Sequence, residues 1–346
     1  MGGLRGPRRQ GVWWQEIGHF QRKRFAVGKR QGKDSTMSAT LAKMIQDGPA
    51  AKATTTHQHQ ASRQAHSVSS HAHFDSAHLE PFRRQAKLPE LRAIASPRIT
   101  AVIPAMNEAE NLPHVFARLP KIIDEVILVD GHSKDDTVAV ARRLRPDVRV
   151  VTQTHRGKGN ALACGFAVAT GDIIVMLDAD GSTDPTEIPA FVGALIDGAD
   201  FAKGSRYMEG GGSDDLTITR RLGNTFLTGT VNTLFGVDYT DLCYGYMAFW
   251  RRCLPQLNVD CSGFEVETLL TLRAARAELT IAEVPSVERD RIHGESNLRP
   301  VRDGLRVMRT ILRERLKRDR AAGGAPAWAA VAGELAPLPA PPAAIR

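Results

Sequence analysis

Three short apolar runs, each closed by a strand-breaking or acidic residue, constrain this chain more than any other feature. Residues 99–104 read Ile-Thr-Ala-Val-Ile-Pro, residues 125–130 read Glu-Val-Ile-Leu-Val-Asp, and residues 173–177 read Ile-Ile-Val-Met-Leu ahead of Asp178. Continuous rather than alternating hydrophobicity over such a length describes a strand buried on both faces, which is the condition of a parallel sheet. Helical periods fill the gaps at 111–119, 138–144 and 159–169, and 149–152 supplies a further strand. Strand and helix therefore alternate. The predicted fold class is α/β, a single Rossmann-like domain over residues 98–320 with a mainly parallel central sheet. Its second half holds longer helical stretches at 221–234 and 264–276, a Gly, Tyr and Cys segment at 239–250, a strand at 281–284 and a helix at 302–316.

The flanks read differently. Residues 1–95 are basic and then rich in Ala, Gln, Ser and His, and cannot bury enough apolar surface to offset chain entropy. Disorder is predicted there and in the Ala/Pro-rich stretch 321–346. The net charge of +8 lies on two arms: residues 1–34 carry +7, residues 299–320 carry +6, and the remainder is mildly acidic. That distribution argues against a nucleic-acid face on the folded domain. Cys164, Cys243, Cys253 and Cys261 lack the short paired spacing of a zinc site or disulfide framework. With no recognisable signal peptide and no apolar stretch of membrane-spanning length, the expected setting is the cytoplasm.

Two of the buried strands end on acids, Asp130 and Asp178. Ligands of open α/β sheets bind in the crevice beyond the carboxyl ends of the strands, so both acids are expected at one cleft. Asp178 and Asp180 stand two residues apart, and strand alternation would turn both carboxylates to one side. Hard oxygens in that pattern suit Mg²⁺ or Mn²⁺ held by one or two carboxylates plus substrate phosphates.

The run Asp178, Ala179, Asp180, Gly181, Ser182, Thr183, Asp184, Pro185 does not stand alone. Pro104, Asn107 and Glu108 follow the first strand, Asp130, Gly131 and Ser133 the second. Arg156 to Gly159, Gly204 to Tyr207 and Asp290 to Ser296 continue the pattern in order. Together they resemble glycosyltransferase family 2, nearest to its dolichyl-phosphate mannose synthase and polyprenyl-phosphate glycosyltransferase group. The resemblance implies a GT-A fold, a nucleotide-sugar donor, a divalent metal and inversion at the anomeric carbon. It implies that Pro104, Glu108 and Asp130 hold the base and ribose, with Asn107 also on the substrate, that Asp178 supports the ribose and metal region, that Asp180 with Asp178 binds Mg²⁺ or Mn²⁺, and that Arg206 meets the diphosphate. Lys158 would lie beside the nucleotide, at a helix start that favours an anion.

The acceptor decides the rest of the chemistry. A polyprenyl phosphate is already an anion, whereas a soluble hydroxyl acceptor needs a carboxylate to take its proton. Asp241, Glu265 and Glu267 are the candidates, and Glu267 matches an acid of the family. Arg289, Arg291, His293 and Ser296 belong to a basic loop suited to a phosphate, since Arg offers a planar fork to its oxygens. The chain departs from these relatives at Asn297, where they carry Lys; Arg299 is the nearest cation. In 302–320, Leu305, Met308, Ile311, Leu312 and Leu316 form a stripe beside arginines. The stripe fits peripheral contact with the cytoplasmic membrane face, packing on its own domain, or a homodimer. Nucleotidyl transfer on a related sheet is the rival chemistry, but no glycine follows the first strand between 105 and 111. A dinucleotide fingerprint at Gly157 and Gly159 fails at Leu162.

Overall fold

A strand with apolar side chains on both faces needs a neighbour along each edge and a layer over each surface, and both needs are met here. The computed structural model describes residues 96–214, 216–295, 299–317, 333 and 335. The expectations for residues 1–95 and Ser296 lie outside the described residues, as does the 321–346 stretch apart from Gly333 and Leu335.

The central strands are β1 (Ile99–Ala105), β2 (Glu125–Asp130), β3 (Arg149–Thr152), β4 (Ile173–Met176), β5 (Phe201–Ser205), β7 (Met247–Trp250) and β8 (Ile281–Pro285). They hydrogen-bond in the order β3-β2-β1-β4-β7-β5-β8. Only β7 runs antiparallel to its neighbours β4 and β5, so the mainly parallel sheet is found as expected. The register sets Ala105 opposite Asp130 and Asp130 opposite Thr152, which brings the carboxyl ends of the first three strands level. A second, two-stranded sheet pairs β6 (Gly212–Ser213) with β9 (Val287–Glu288).

The helices are α1 (Leu112–Ala117), α2 (Thr137–Leu144), α3 (Lys158–Val168), α4 (Ile188–Ile196), α5 (Ile218–Phe235), α6 (Leu254–Leu257), α7 (Val266–Arg276) and α8 (Pro300–Leu316). Alternation along β1 sends Ala101 and Ile103 to the layer holding Leu128 and Phe191. Val102 goes to the opposite layer, with Ile127, Leu162, Phe166 and Phe249. Each such side chain, fully buried, contributes roughly 1.5–3 kcal/mol. Phe166 and Phe249 meet edge to face with centroids 5.3 Å apart. The sheet whose edge carries Asp130 and leads to the 178–184 turn lies between these two layers.

Four strands, β5, β6, β7 and β9, and two helices, α4 and α6, differ from the sequence expectation, which places no element there. β5 reads Phe-Ala-Lys-Gly-Ser, a poor hydrophobic run, yet all five residues are buried. Its Lys203 is tolerated there because Glu283 pairs with it at 3.0 Å and the Asp241 carbonyl accepts from it. A third cluster, including Leu227, Val231, Leu272, Val307 and Ile311, ties α5, α7 and α8 together. The expected stripe on α8 divides: Ile311 is buried, but Leu305, Leu312 and Leu316 are exposed. Packing of that stripe on its own domain is therefore corrected for these three leucines. The inward face of α8 carries Asp303, Val307, Thr310, Ile311 and Glu314 instead, because Arg273 and Arg276 of α7 hold Glu314. Among the described residues no helix is long and apolar enough to cross a membrane.

Candidate active site

The acid pair sits just beyond β4. That strand ends at Met176, so residues 178–180 lie in a turn, and strand alternation is not what orients them. The turn is shaped locally: Asp180 Oδ1 accepts from the Ser182 amide at 3.0 Å and from its hydroxyl at 2.7 Å. Gly181 completes the bend at φ 80°, a left-handed value suited to glycine, and a Cβ there would run into Ile292. Both acids remain partly accessible, with side chains 29% exposed at Asp178 and 18% at Asp180. Asp180 thus points neither into the core nor away from open space. Beside its turn lies a cleft of ≈ 310 Å³ bounded by His114, Arg118, Gly181, Thr183 and Ile292.

A lysine holds Asp178. Lys158, at the first turn of α3, places Nζ 2.6 Å from Asp178 Oδ1 and 2.7 Å from Glu267 Oε1 on α7. The approach depends on two glycines. Gly157 has φ 104°, and a Cβ on Gly157 or Gly159 would overlap backbone of Ser262 or Cys261. Gly245 lies against the same pair, where a side chain would overlap Glu267 Oε1. Burial disfavours the charged lysine, yet Asp178 and Glu267 outweigh it and hold the ammonium above its ordinary range. Burial also pushes the Glu267 carboxyl up, against the pull of Lys158, and the Asp178 charge adds to the rise. The Lys158 charge is therefore spent on two protein acids.

Arg291 performs the same service for Asp180. Its Nη2 stands 3.3 Å from Asp180 Oδ2 and 2.9 Å from Glu108 Oε1, and Nη1 reaches Glu108 Oε2 at 3.3 Å. Glu108 is buried and accepts from Asn111 Nδ2 at 2.5 Å. Burial raises its pKa against Asn111 and Arg291. Asn111 pins the loop in turn, accepting from the His293 amide and donating to its carbonyl. Ile292 N donates to the Asp180 carbonyl and Arg289 N to that of Ser182. Residues 289–293 thus lie across both the 178–184 turn and the β1–α1 loop. Asn111 was read from sequence only as a helix start; its place three residues after Glu108 was the available signal.

At the edge of β1 and β2, Asn107 adopts φ 59°, accepts from the Lys134 amide and receives its own amide partner in Ser133 Oγ. Buried Asp130 takes the Ser133 amide at 3.3 Å on each oxygen. Pro104 lies one register step from that acid, opposite Val129. Glu108, Asp130, Asp178 and Asp180 are thereby brought to one end of the sheet.

Arg206 and Asp241 form a separate, deeper unit. Nε and Nη2 of Arg206 lie 2.7 and 2.9 Å from the two Asp241 oxygens, Nη1 lies 2.9 Å from Glu288, and Nη2 also donates to the Cys243 carbonyl. Asp241 has no solvent exposure and also accepts from Asn224 at 3.0 Å. Burial alone would raise its pKa, but the hydrogen bonds and charge of Arg206, with Lys203 behind, hold it below the ordinary carboxylate range. Every nitrogen of this guanidinium has a protein partner. Glu265 keeps Oε1 on the Gly263 amide, with Oε2 buried and without a hydrogen-bond partner.

Among the described residues no three His, Cys, Asp or Glu side chains gather as a closed metal cage. Two partly open carboxylates without a third ligand suit Mg²⁺ or Mn²⁺, which keep waters and substrate phosphates in their shell. Charge agrees: among the described residues Glu108, Asp178, Asp180 and Glu267 form their ion pairs with two cations, Lys158 and Arg291. The donor set fits the ion.

The profile of Glycosyl transferase family 2 matches residues 100–256. Polyprenol monophosphomannose synthase of Mycolicibacterium smegmatis is 35% identical over 218 residues, covering 58% of this chain and 81% of that protein. Dolichol-phosphate mannosyltransferase of Pyrococcus furiosus is 29% identical over 211 residues; the match takes in 58% of this chain but only 59% of the longer relative. Glucosyl-3-phosphoglycerate synthase of Mycobacterium tuberculosis, solved with Mn²⁺, UDP and glucosyl-3-phosphoglycerate, superposes with a TM-score of 0.52. Its identity is 25%, with 65% of this chain and 82% of that one covered.

Proposed function

The chain belongs to glycosyltransferase family 2 and has its GT-A fold, and from that premise we propose that it moves a hexose from a GDP- or UDP-linked donor to a polyprenyl phosphate with inversion. One observation supports the choice of acceptor. The acids nominated to take a proton from a hydroxyl are already engaged or closed off. Asp241 is fully buried on Arg206 and Asn224, Glu267 holds Lys158, and Glu265 Oε2 is sealed from solvent. A phosphate acceptor is already nucleophilic and needs no such base; orientation and charge stabilisation are sufficient. Two relatives bear names of transferases acting on polyprenol or dolichol phosphate.

In this reading Asp178 and Asp180 are the carboxylates that hold Mg²⁺ or Mn²⁺. The ion supplies neutralisation of the charge that develops on the leaving diphosphate. Asp130, Pro104 and Asn107 line the base and ribose end. Glu108 acts by holding Arg291 beside Asp180. Lys158 sets the rotamer of Asp178. Arg206 commits four of its five N–H donors to Asp241, Glu288 and the Cys243 carbonyl, so its main role in this reading is to hold the 241–243 segment. The cytoplasmic setting expected from the sequence belongs to the same proposal.

A second reading, transfer to a soluble hydroxyl, is favoured by one finding: the similar solved synthase holds glucosyl-3-phosphoglycerate. Purified protein with labelled GDP-mannose or UDP-glucose, Mn²⁺ and either a short-chain polyprenyl phosphate or 3-phosphoglycerate separates the two. Label extracted into organic solvent as a sugar-phosphate lipid is the expected outcome. Transfer to phosphoglycerate alone overturns the proposal.

A further inference from the structure

Two neighbouring helices, α5 and α8, present apolar side chains outward, and nothing among the described residues covers them. On α8, Val301, Leu305, Leu312 and Leu316 are 77%, 57%, 48% and 80% exposed, and half-buried Met308 falls between them. Their spacing of three or four residues sets all five on one stripe. α5 repeats the arrangement with Ile218, Leu222 and Phe226, exposed by 80%, 67% and 67%. The two helices pack on each other through a shared cluster containing Leu227, Val231, Val307 and Ile311.

The exposed charge carried by the two helices themselves has one sign. α5 contains Arg220 and Arg221 and no acid; α8 contains five arginines, at 302, 306, 309, 313 and 315. The only acids of α8, Asp303 and Glu314, are buried on the inward side. Arg302 and Arg309 fall next to the apolar stripe along one flank and Arg315 along the other, all exposed. An ordinary surface helix puts its apolar side inward and polar side outward. α8 buries Val307 and Ile311 but also Asp303, Thr310 and Glu314, and leaves four large aliphatic residues exposed.

We infer that the outward faces of α5 and α8 form a docking surface for an anionic lipid bilayer, with the apolar side chains entering the acyl boundary and the flanking arginines meeting lipid phosphates. The match is of both kinds that interfacial helices use: an apolar wedge, and a basic rim without a competing acid. A second copy of the chain fits less well, since a two-fold contact through this face would set arginine rims against each other. The inference deepens the proposed lipid acceptor by giving the enzyme a place on the membrane that supplies it. It rests on exposure and charge, however, and is tested without any acceptor.

The test is co-sedimentation of the full-length protein with vesicles of phosphatidylcholine alone or mixed with phosphatidylglycerol, both free of polyprenyl phosphate. The wild type is expected to pellet with the anionic vesicles, and the bound fraction to fall as salt rises. Leu305→Glu with Leu312→Glu, both at exposed sites, should weaken partitioning at least about tenfold while circular dichroism stays unchanged. Arg302→Glu with Arg309→Glu should do the same on anionic vesicles. Leu144→Glu, at an exposed apolar residue on α2, should behave as wild type. Wild-type protein left in the supernatant with anionic vesicles overturns the inference. So does a dimer in sedimentation velocity that Leu305→Glu with Leu312→Glu dissociates. Vesicle binding without lipid-linked product would leave the docking surface standing and refute the acceptor alone.

Discussion

Replacing Lys158 by Met tests the electrostatic construction of the cleft most directly. The lysine is the shared cation of two acids, 2.6 Å from Asp178 and 2.7 Å from Glu267, with side-chain exposures of 11%, 29% and 13% for the three residues. Removing one partner of a buried pair costs about 3–5 kcal/mol, because the remaining charge is left uncompensated. Solvent screens Asp178 in part, so the lower end, about 3 kcal/mol, is expected. In a domain of this size that lowers Tm by about 6–12 °C. The pH dependence follows from the protonation of each group. The lysine pKa is raised above its ordinary 10.5, so its contribution is fully present below that value and lost only as pH rises further. In the variant the pull of Lys158 on Glu267 is gone, so that carboxyl, already raised in the wild type, rises further. The folded variant then binds protons more tightly than its unfolded chain, and its deficit shrinks as pH falls toward the carboxylate range. Thermal melts of both proteins between pH 5 and 9, read by circular dichroism, give the comparison. Excess Mn²⁺ should recover more stability in the variant, where Asp178 has lost its cation. A deficit below about 1 kcal/mol at pH 8, or one that grows as pH falls, refutes the reasoning.

Other perturbations act on separate parts of the same construction. Asp180→Asn keeps an oxygen for the Ser182 hydrogen bonds but loses the anion, so sugar transfer should fall by about a hundredfold or more with Tm nearly unchanged. Arg206→Lys surrenders the two-pronged grip on Asp241 and the reach to Glu288; urea titration should show a loss of about 2–4 kcal/mol. Gly157→Ala meets both a positive φ and the Ser262 carbonyl, and should cost about 2 kcal/mol or more by the same titration. Glu125→Gln probes acid stability at the opposite end of the sheet. Burial alone would raise its carboxyl, but hydrogen bonds from Thr100, Thr170 and Arg149 outweigh it and hold the pKa below 4.5. The stabilisation is present above that value and lost as pH falls through the lowered one. The gap between wild type and variant should therefore be about 1–2 kcal/mol at pH 7 and close in acid melts.

What the sequence by itself determined was the set of elements whose physics is local. The strands at 125–130 and 149–152 coincide with those observed, and α1, α2 and α3 lie within two residues of their predicted ends. Continuous apolar runs this short, β-branched and closed by breakers fit two-faced strands, and their carboxyl ends bring Asp130 and the Asp178–Asp180 turn to one edge. Tertiary structure alone decided where β5 and β7 lie, since Lys203 becomes a strand residue only when Glu283, eighty positions away, neutralises it. It also decided which charges meet. Arg291 reaches Glu108 across 183 positions and Lys158 reaches Glu267 across 109. Neither separation leaves a periodic trace. The direction of α8 was likewise open from its pattern, because a stripe of leucines is equally at home inward or outward. The ion pairs from α7 to Glu314, together with the packing of Val307 and Ile311, turn its acidic side to the core and its leucines to the outside.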